Sequence, residues 1–521
     1  MRWSPLVVLA ACSGGITQLE VPHDEPMAIQ ARLGGTLDDL AAFGEKRAGT
    51  AAGRQAGDYV AERLRSAGFQ PVFEEFSFLS FAVASSQVTA GGVAYAHQVF
   101  AYSGVGRVEA DIVWVGDGHP DDYQGKDVTG RIVMVRRDPT FHRSSQYREI
   151  VQRGGAAMLY LSTAPDNLVQ VGTVADPEDG LGPIPAVSIG AVDGDALVAA
   201  GPLTGVVDVQ ASVTPATARN VVARLPGDQP GYLLVGAHYD TWFTGSSDNG
   251  GGVALLLEVA EALRGRGGGR LGLVFVAYDG EELGLFGGYD YLRRHVVAGE
   301  EPMLGFVNFE VPANEAAGLR ALAYTNGGPV DPTLRAAGLP ALFPIYVPMQ
   351  VVPSYFGGII PTDIQGMYWY GLQGLSTACD TPWYHTAADT PDKVDLGHLT
   401  DSAIRFVDFL GRLDSAAVTA LQARDPEVWR IAVTSTRLVD LQVEVTVTDA
   451  AGVARADAPV TVWLDVDDFR RVHRIDVRTD ASGHATATIP AARLAEGTGR
   501  RWLHVTSGPS YPLGEAIVSI E

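Results

Sequence analysis

Apolar and polar positions alternate along the chain with two different periods, and the switches between them divide it into units. From Thr36 to Gly68 apolar residues recur at helical spacing, whereas PVFEEFSFLSF alternates at period two, as a strand does. Between residues 82 and 215 the apolar runs are short, β-branched and separated by Gly and Asp turns. ADIVWVG and GRIVMVRR are strand candidates there, with one helical stretch, YREIVQRGGAAMLYL, among them. From Asn220 strand and helix patterns alternate: YLLVGA, GLVFVAYD and GFVNFEV are strands, and VALLLEVAEAL is a largely buried helix. That alternation predicts an α/β unit, a mixed, mostly parallel sheet flanked by helices. A helix over DLGHLTDSAIRFVDFLGRL closes it near residue 424. Beyond it, LQVEVTVTDAAG, APVTVWLDVDD, HRIDVRTDASGHATATIP and RRWLHVTSG alternate with closely spaced turns, which predicts a C-terminal β-sandwich over 425–521.

Composition narrows the class. A 521-residue chain with 46% apolar and 19% charged residues is globular and large enough for about three domains. A formal charge of -23 excludes nucleic acid as a partner, because phosphate binding needs a basic face. The start, MRWSPLVVLAACSGG, resembles a bacterial lipoprotein signal. It implies a signal peptide over 1–12 whose lipobox ends at Cys12, a membrane tether through lipidated Cys12, and a linker over 13–30. The expected location is the cell envelope or outer membrane, or the medium if the leader is simply cleaved. The mature chain then keeps Cys379 as its one thiol, which excludes a disulfide framework. Cys379 reads as buried and inert, with no His–Asn pair implied beside it. No later stretch is long and apolar enough to span a bilayer.

Ligands of α/β sheets gather beyond the carboxyl ends of the strands. Here three strands end in metal-competent residues. His238-Tyr239-Asp240 follows YLLVGA, Glu281-Glu282 follows GLVFVAYD, and GFVNF runs into Glu310. The loop after His238 adds Asp248, and the distant WYHTAADT adds His385. Two imidazoles with several carboxylates suit a pair of zinc ions, or a similar borderline divalent metal, better than Mg or Ca. A shared carboxylate would hold such ions about 3.5–4 Å apart.

The series GAHYDTW, SSDNGGGVALLLE, YDGEELGLFGG, NFE and YHTAADT is similar to the M28 family of zinc exopeptidases, over about residues 31–81 and 216–424. DVTGRIVMVRRDPTF, RGGAAMLYLST and GPIPAVSIGAVDGDAL resemble the protease-associated (PA) domain, here an insertion over 82–215. The resemblance implies an exported aminopeptidase acting on peptides. It implies that His238 and Glu310 bind one metal, Glu282 and His385 the other, and that Asp248 bridges them. Glu281 would be the general base, Asp240 would orient His238, and the Tyr384 phenol would help hold the oxyanion. Asp363, in PTDIQG, matches an acidic residue near the cleft and is a candidate substrate contact. The Asp248–Asn249 peptide is expected to be cis.

Two positions depart from that pattern. Glu310 stands where the family has Asp, which displaces the carboxylate by about 1.5 Å. Ile364 stands where the family has His. Two other readings compete with an aminopeptidase. A carboxypeptidase would want an Arg for the substrate carboxylate. None lies between Ala336 and Ile404, although Arg143 or Arg148 of the inserted segment could supply one. A receptor-like binding protein on the same scaffold would have lost its ligands, and here a carboxylate remains at 310.

Overall fold

The computed structural model describes residues 25–520 except 268, 300, 301, 317, 326, 327 and 357. The expected signal peptide, its Cys12 and residues 13–24 of the expected linker lie outside the described residues. Residues 25–30, expected to be linker, already belong to helix α1 (Glu25–Ala41). The helical run read from Thr36 to Gly68 is two helices. α1 stops before FGEKRAGT, and α2 (Ala51–Ser66) starts where the Thr50 hydroxyl accepts the Gly53 N–H, the N-cap arrangement.

Next comes β1 (Val72–Ala90), far longer than its apolar pattern suggested. The middle unit follows: β2 (Gly106–Trp114), β3 (Ile132–Arg136), α3 (Arg143–Gln152), β4 (Ala157–Leu161), β5 (Ala186–Ile189) and α4 (Ala191–Ala200). β2 to β5 pair in parallel in that order. The chain returns through β6 (Thr204–Leu225), antiparallel to β1 from Val72↔Val222 to Ala90↔Gly205. At one end β6 pairs with β2, and at the other with β8 (Gly272–Tyr278) of the large unit. One continuous sheet therefore crosses from one unit to the other along the β1/β6 ribbon.

The large unit adds β7 (Tyr232–His238), α5 (Gly251–Arg266), β8, β9 (Met303–Asn308), β10 (Arg320–Tyr324), β11 (Ile345–Pro348), β12 (Gly374–Cys379) and α6 (Leu396–Leu413). The strand order is β11-β10-β12-β9-β7-β8-β6. The pairs β8–β7, β7–β9, β9–β12 and β10–β11 are parallel, whereas β12–β10 and β8–β6 are antiparallel. This is the mixed, mostly parallel sheet that the periodicity predicts. α1, α2, α5 and α6 cover one face, where Leu33, Val60, Leu256, Phe275 and Phe406 share one apolar core. Strands buried on both faces must be apolar throughout, which is why β7, β8 and β9 carry polar groups only at or beyond their ends. Because those three are parallel, their carboxyl ends share one edge.

Beyond α6, Arg430–Arg437, Leu441–Thr448 and His484–Ile489 form a three-stranded sheet. Pro459–Val466, Arg470–Arg478, Arg501–Ser507 and Gly514–Ile520 form a four-stranded one. Val443, Val445, Val462, Leu464 and Val505 fill the space between them. Among the described residues, no helix is long and apolar enough to cross a membrane.

The sandwich is fastened to the large unit by a buried cation. Arg293 donates to the Asp465 carboxylate at 2.7 Å and to the Asp468 carbonyl, and its guanidinium lies 4.3 Å from the Phe469 ring centroid. Phe469 in turn packs against Phe76 and Phe286. Among the described residues, removing the guanidinium leaves buried Asp465 with Arg471, 3.5 Å away, as its one cation. Arg293→Ala is therefore expected to cost about 3 kcal/mol, seen in urea unfolding as an earlier transition of the sandwich.

Candidate metal centre

His238 ends β7, fully buried, and its ring is aimed from both sides. Its Nδ1–H donates to the Asp240 backbone carbonyl at 2.9 Å. That leaves the Nε2 lone pair facing Glu310 Oε1 at 3.2 Å, Asp248 Oδ1 at 3.4 Å and Glu281 Oε2 at 3.9 Å. The orienting oxygen is thus the carbonyl of Asp240, whereas the sequence pointed to its carboxylate, which stands 3.7 Å from Nδ1. The carboxylate is occupied elsewhere: it accepts the N–H groups of Glu281 at 3.1 Å and Glu282 at 3.2 Å. It caps the short turn that starts at Glu281, fixing both glutamates against β7. Gly280 makes the turn out of β8 possible, since its φ of 79° is one that a side chain disfavours.

His385 faces the same edge from a distant loop. Its Nε2 lies 2.9 Å from Glu282 Oε2 and 3.2 Å from Asp248 Oδ2. Asp248 therefore presents one oxygen to each imidazole. The Asp248–Asn249 peptide is cis, as the resemblance implied. Glu310 is held by Thr377, which bonds both its N–H and its carbonyl at 2.9 Å, and by Thr362, whose hydroxyl donates to Oε2 at 3.0 Å. Thr362 thus steadies the longer carboxylate.

Two trios result, His238–Asp248–Glu310 and Asp248–Glu282–His385, and in each the ligand-type atoms lie within 4.8 Å of one another. Electrostatics favours a cation here. Burial alone would lower both imidazoles. Instead, Glu310 and Glu281 hold His238 well above its ordinary value, and Glu282 and Asp248 push His385 up to about 9. Burial raises the Glu281 and Glu282 carboxyls. Glu282 Oε1 and both oxygens of Asp363 are buried without a hydrogen-bond partner. Orphaned carboxyl oxygens beside two imidazoles whose environment favours a positive charge are what a divalent ion of borderline softness would satisfy, so the donor set fits such ions.

The remaining candidates also lie here. Tyr384 stacks on His385 with ring centroids 3.7 Å apart, and Arg143 of α3 lies against its phenol. Burial raises that phenol and Arg143 opposes the rise. Asp363 is buried, close enough to His238 and Glu310 to feel both charges, and burial keeps its carboxyl well above the usual range. Cys379 is buried in the core and its thiol is pushed up to about 12 by that burial. A cavity of about 370 Å³ lies between Arg148, Tyr289, Gln365, Trp369, Trp463 and Glu515. It brings the sandwich to within two residues of Asp363 along the chain.

Sequence reasoning passed over Asp389. Its carboxylate accepts the N–H groups of Ser247 at 2.7 Å and Asp248 at 3.0 Å, clamping the loop that presents Asp248. The only signal was its place in YHTAADT, four residues after His385. Thr362 and Thr377 gave none.

Residues 220–409 match the family model for Peptidase family M28, and residues 103–197 match the PA domain. The chain carries an M28 peptidase domain. The PA domain is the middle unit, reached through the ribbon. Among curated relatives, the chain is 29% identical over 349 residues to "Probable lipoprotein aminopeptidase LpqL" of Mycobacterium tuberculosis, covering 65% of this chain and 66% of that one. It is 25% identical over 300 residues to "Glutamate carboxypeptidase 2 homolog" of Caenorhabditis briggsae, covering 41% and 39%. The chain thus spans under two thirds of each of these two relatives' length. Among solved structures, BSAP, a zinc aminopeptidase from Bacillus subtilis, shares the fold with a TM-score of 0.58 at 19% identity, over 75% of this chain and 97% of that one.

Asp389→Asn would set an amide NH₂ against one of the two N–H donors of the Ser247–Asp248 loop. It is expected to weaken divalent-metal binding by about 10–100-fold, measured by competition with a chromophoric chelator.

Proposed function

We propose that the chain is an exported zinc metallopeptidase that removes amino-terminal residues from peptides, using two zinc ions. The observation that carries this reading is Asp248, whose two oxygens face two separate imidazoles at 3.4 and 3.2 Å. His238 and Glu310 would hold one ion and Glu282 and His385 the other, with Asp248 available to both. The names of the M. tuberculosis relative and the B. subtilis structure favour an aminopeptidase and zinc.

When bound, the ions would activate a water and polarise the scissile carbonyl. The rest is done by side chains. The Glu281 carboxylate takes the water's proton and returns it to the leaving amine. Its position is set by the Asp240 carboxylate through the Glu281 N–H. The Tyr384 phenol donates to the oxyanion, and its stacking on His385 keeps it at the metal edge. Asp363, whose two buried oxygens lack a hydrogen-bond partner, suits the substrate's ammonium group, a cation that would favour the ionised carboxylate which burial alone disfavours.

Arg143 keeps a carboxypeptidase reading in view, because its guanidinium reaches Tyr384 from the PA domain. A panel of free and blocked dipeptides separates the two. Hydrolysis of amino-acid anilides and carboxy-blocked dipeptides, with amino-blocked ones inert, is expected; the reverse pattern would establish the carboxypeptidase. Zinc-loaded protein inert on the whole panel would favour a binding protein. Glu281→Gln should retain its zinc and lose about 10²–10⁴-fold in kcat, assayed on an anilide.

Export and tethering rest on Leu9-Ala10-Ala11-Cys12 and on the lipoprotein named among the relatives. Cys12→Ala should move the protein from the detergent phase to the aqueous phase in a phase-partition assay. An unchanged partition would count against the lipid anchor.

A further inference from the structure

The two halves of the metal centre are steadied from different domains. On the His238 side every orienting contact is internal to the M28 domain: Nδ1–H donates to a carbonyl two residues away, and Thr362 and Thr377 hold Glu310. On the other side four hydrogen bonds arrive from one PA-domain loop, Gln170-Val171-Gly172-Thr173. The His385 Nδ1–H donates to the Val171 carbonyl at 2.9 Å, which fixes the tautomer that leaves Nε2 free to coordinate. The Val171 N–H donates to the His385 carbonyl at 3.1 Å. Gln170 Nε2 donates to the Tyr384 carbonyl at 3.0 Å, and the Thr173 hydroxyl to the Glu282 carbonyl at 2.8 Å. His385 needs that support, because its φ of 56° is one that residues with a side chain disfavour.

The loop is built to hold its shape. Gln170 and Val171 are buried. The Gln170 Oε1 accepts the Ser162 hydroxyl at 3.2 Å and the Thr163 N–H at 3.4 Å, which sets its NH₂ toward Tyr384. Gly172, at φ 149°, lies so close to Arg143 that a β-carbon there would stand 2.4 Å from the guanidinium carbon. Arg143 Nε donates to the Thr173 carbonyl at 2.9 Å, and the Ala101 N–H to the Gly172 carbonyl at 2.8 Å.

We propose that the 170–173 loop of the PA domain is the positioning element for the Glu282–His385 half of the metal centre. The M28 domain preforms one zinc site, and the docked PA domain completes the other. The inference rests on the two-zinc reading above and adds an asymmetry which that reading does not contain.

Site-resolved metal binding tests it without reference to turnover. The full chain, metal-free, is titrated with zinc against a chelator and with cobalt(II), whose visible absorption reports ligand geometry. Two variants are compared with the parent: Thr173→Val, which removes the donor to Glu282 while keeping the shape, and Gln170→Ala, which removes the donor to Tyr384. Each is expected to weaken one of two equivalents by about 10–100-fold and to alter one cobalt band set. The other equivalent should be unchanged in both variants. If both variants bind two equivalents as the parent does, or lose both together, the proposal is overturned while the two-zinc reading stands. If the parent itself binds fewer than two equivalents, the two-zinc reading fails and this proposal fails with it.

Discussion

Mutual repulsion among buried carboxylates is the constraint around which the molecule is arranged. Asp248, Glu281, Glu282 and Glu310 meet at one sheet edge, with Asp240, Asp363 and Asp389 close behind, and all but Glu281 and Glu310 are nearly sealed from solvent. Such a group is stable only if positive charge sits among it or protons are taken up. The chain spends three parallel strands, a capped turn and a clamped loop on bringing these side chains together. A site that is costly to assemble empty has to be imposed by the fold around it, and the apolar strands β7, β8 and β9 do the imposing.

The second-tier contacts show how the imposition works. Each acidic ligand candidate is backed by a neutral donor or by a carboxylate that captures backbone N–H groups. Asp240 captures those of Glu281 and Glu282; Asp389 captures those of Ser247 and Asp248. These carboxylates keep their charge useful by spending it on amides, so the ligand atoms remain free to face inward. The two imidazoles are steered the same way, each by a carbonyl on Nδ1, although the two carbonyls belong to different domains.

Much of this was legible in the sequence for a local reason. A strand buried on both faces shows as an unbroken apolar run, so a His or Glu at its end stands out, and parallel pairing sends all such ends to one edge. That reasoning reaches His238, Glu281, Glu282 and Glu310 directly. It reaches Asp248 and His385 only through motifs, because both lie in loops without periodicity. Asp389, Thr362 and Thr377 act through one or two hydrogen bonds each, which leave no periodic pattern. That the carbonyl of Asp240 lies nearer His238 than its carboxylate cannot be read from the sequence, because it depends on the turn. The Gln170–Tyr384 contact joins residues 214 apart, which no window along the chain can register. The break between α1 and α2 was hidden because both helices turn the same kind of apolar face to one core.

The long β1/β6 ribbon has a mechanical consequence. Two strands paired from Val72↔Val222 to Ala90↔Gly205, with one bulge between Val83 and Ser85, cannot slide past each other without breaking the ladder. The ribbon thereby fixes the PA domain against translation along the strands. The register of that ladder therefore sets how far the loop at 170–173 reaches toward His385.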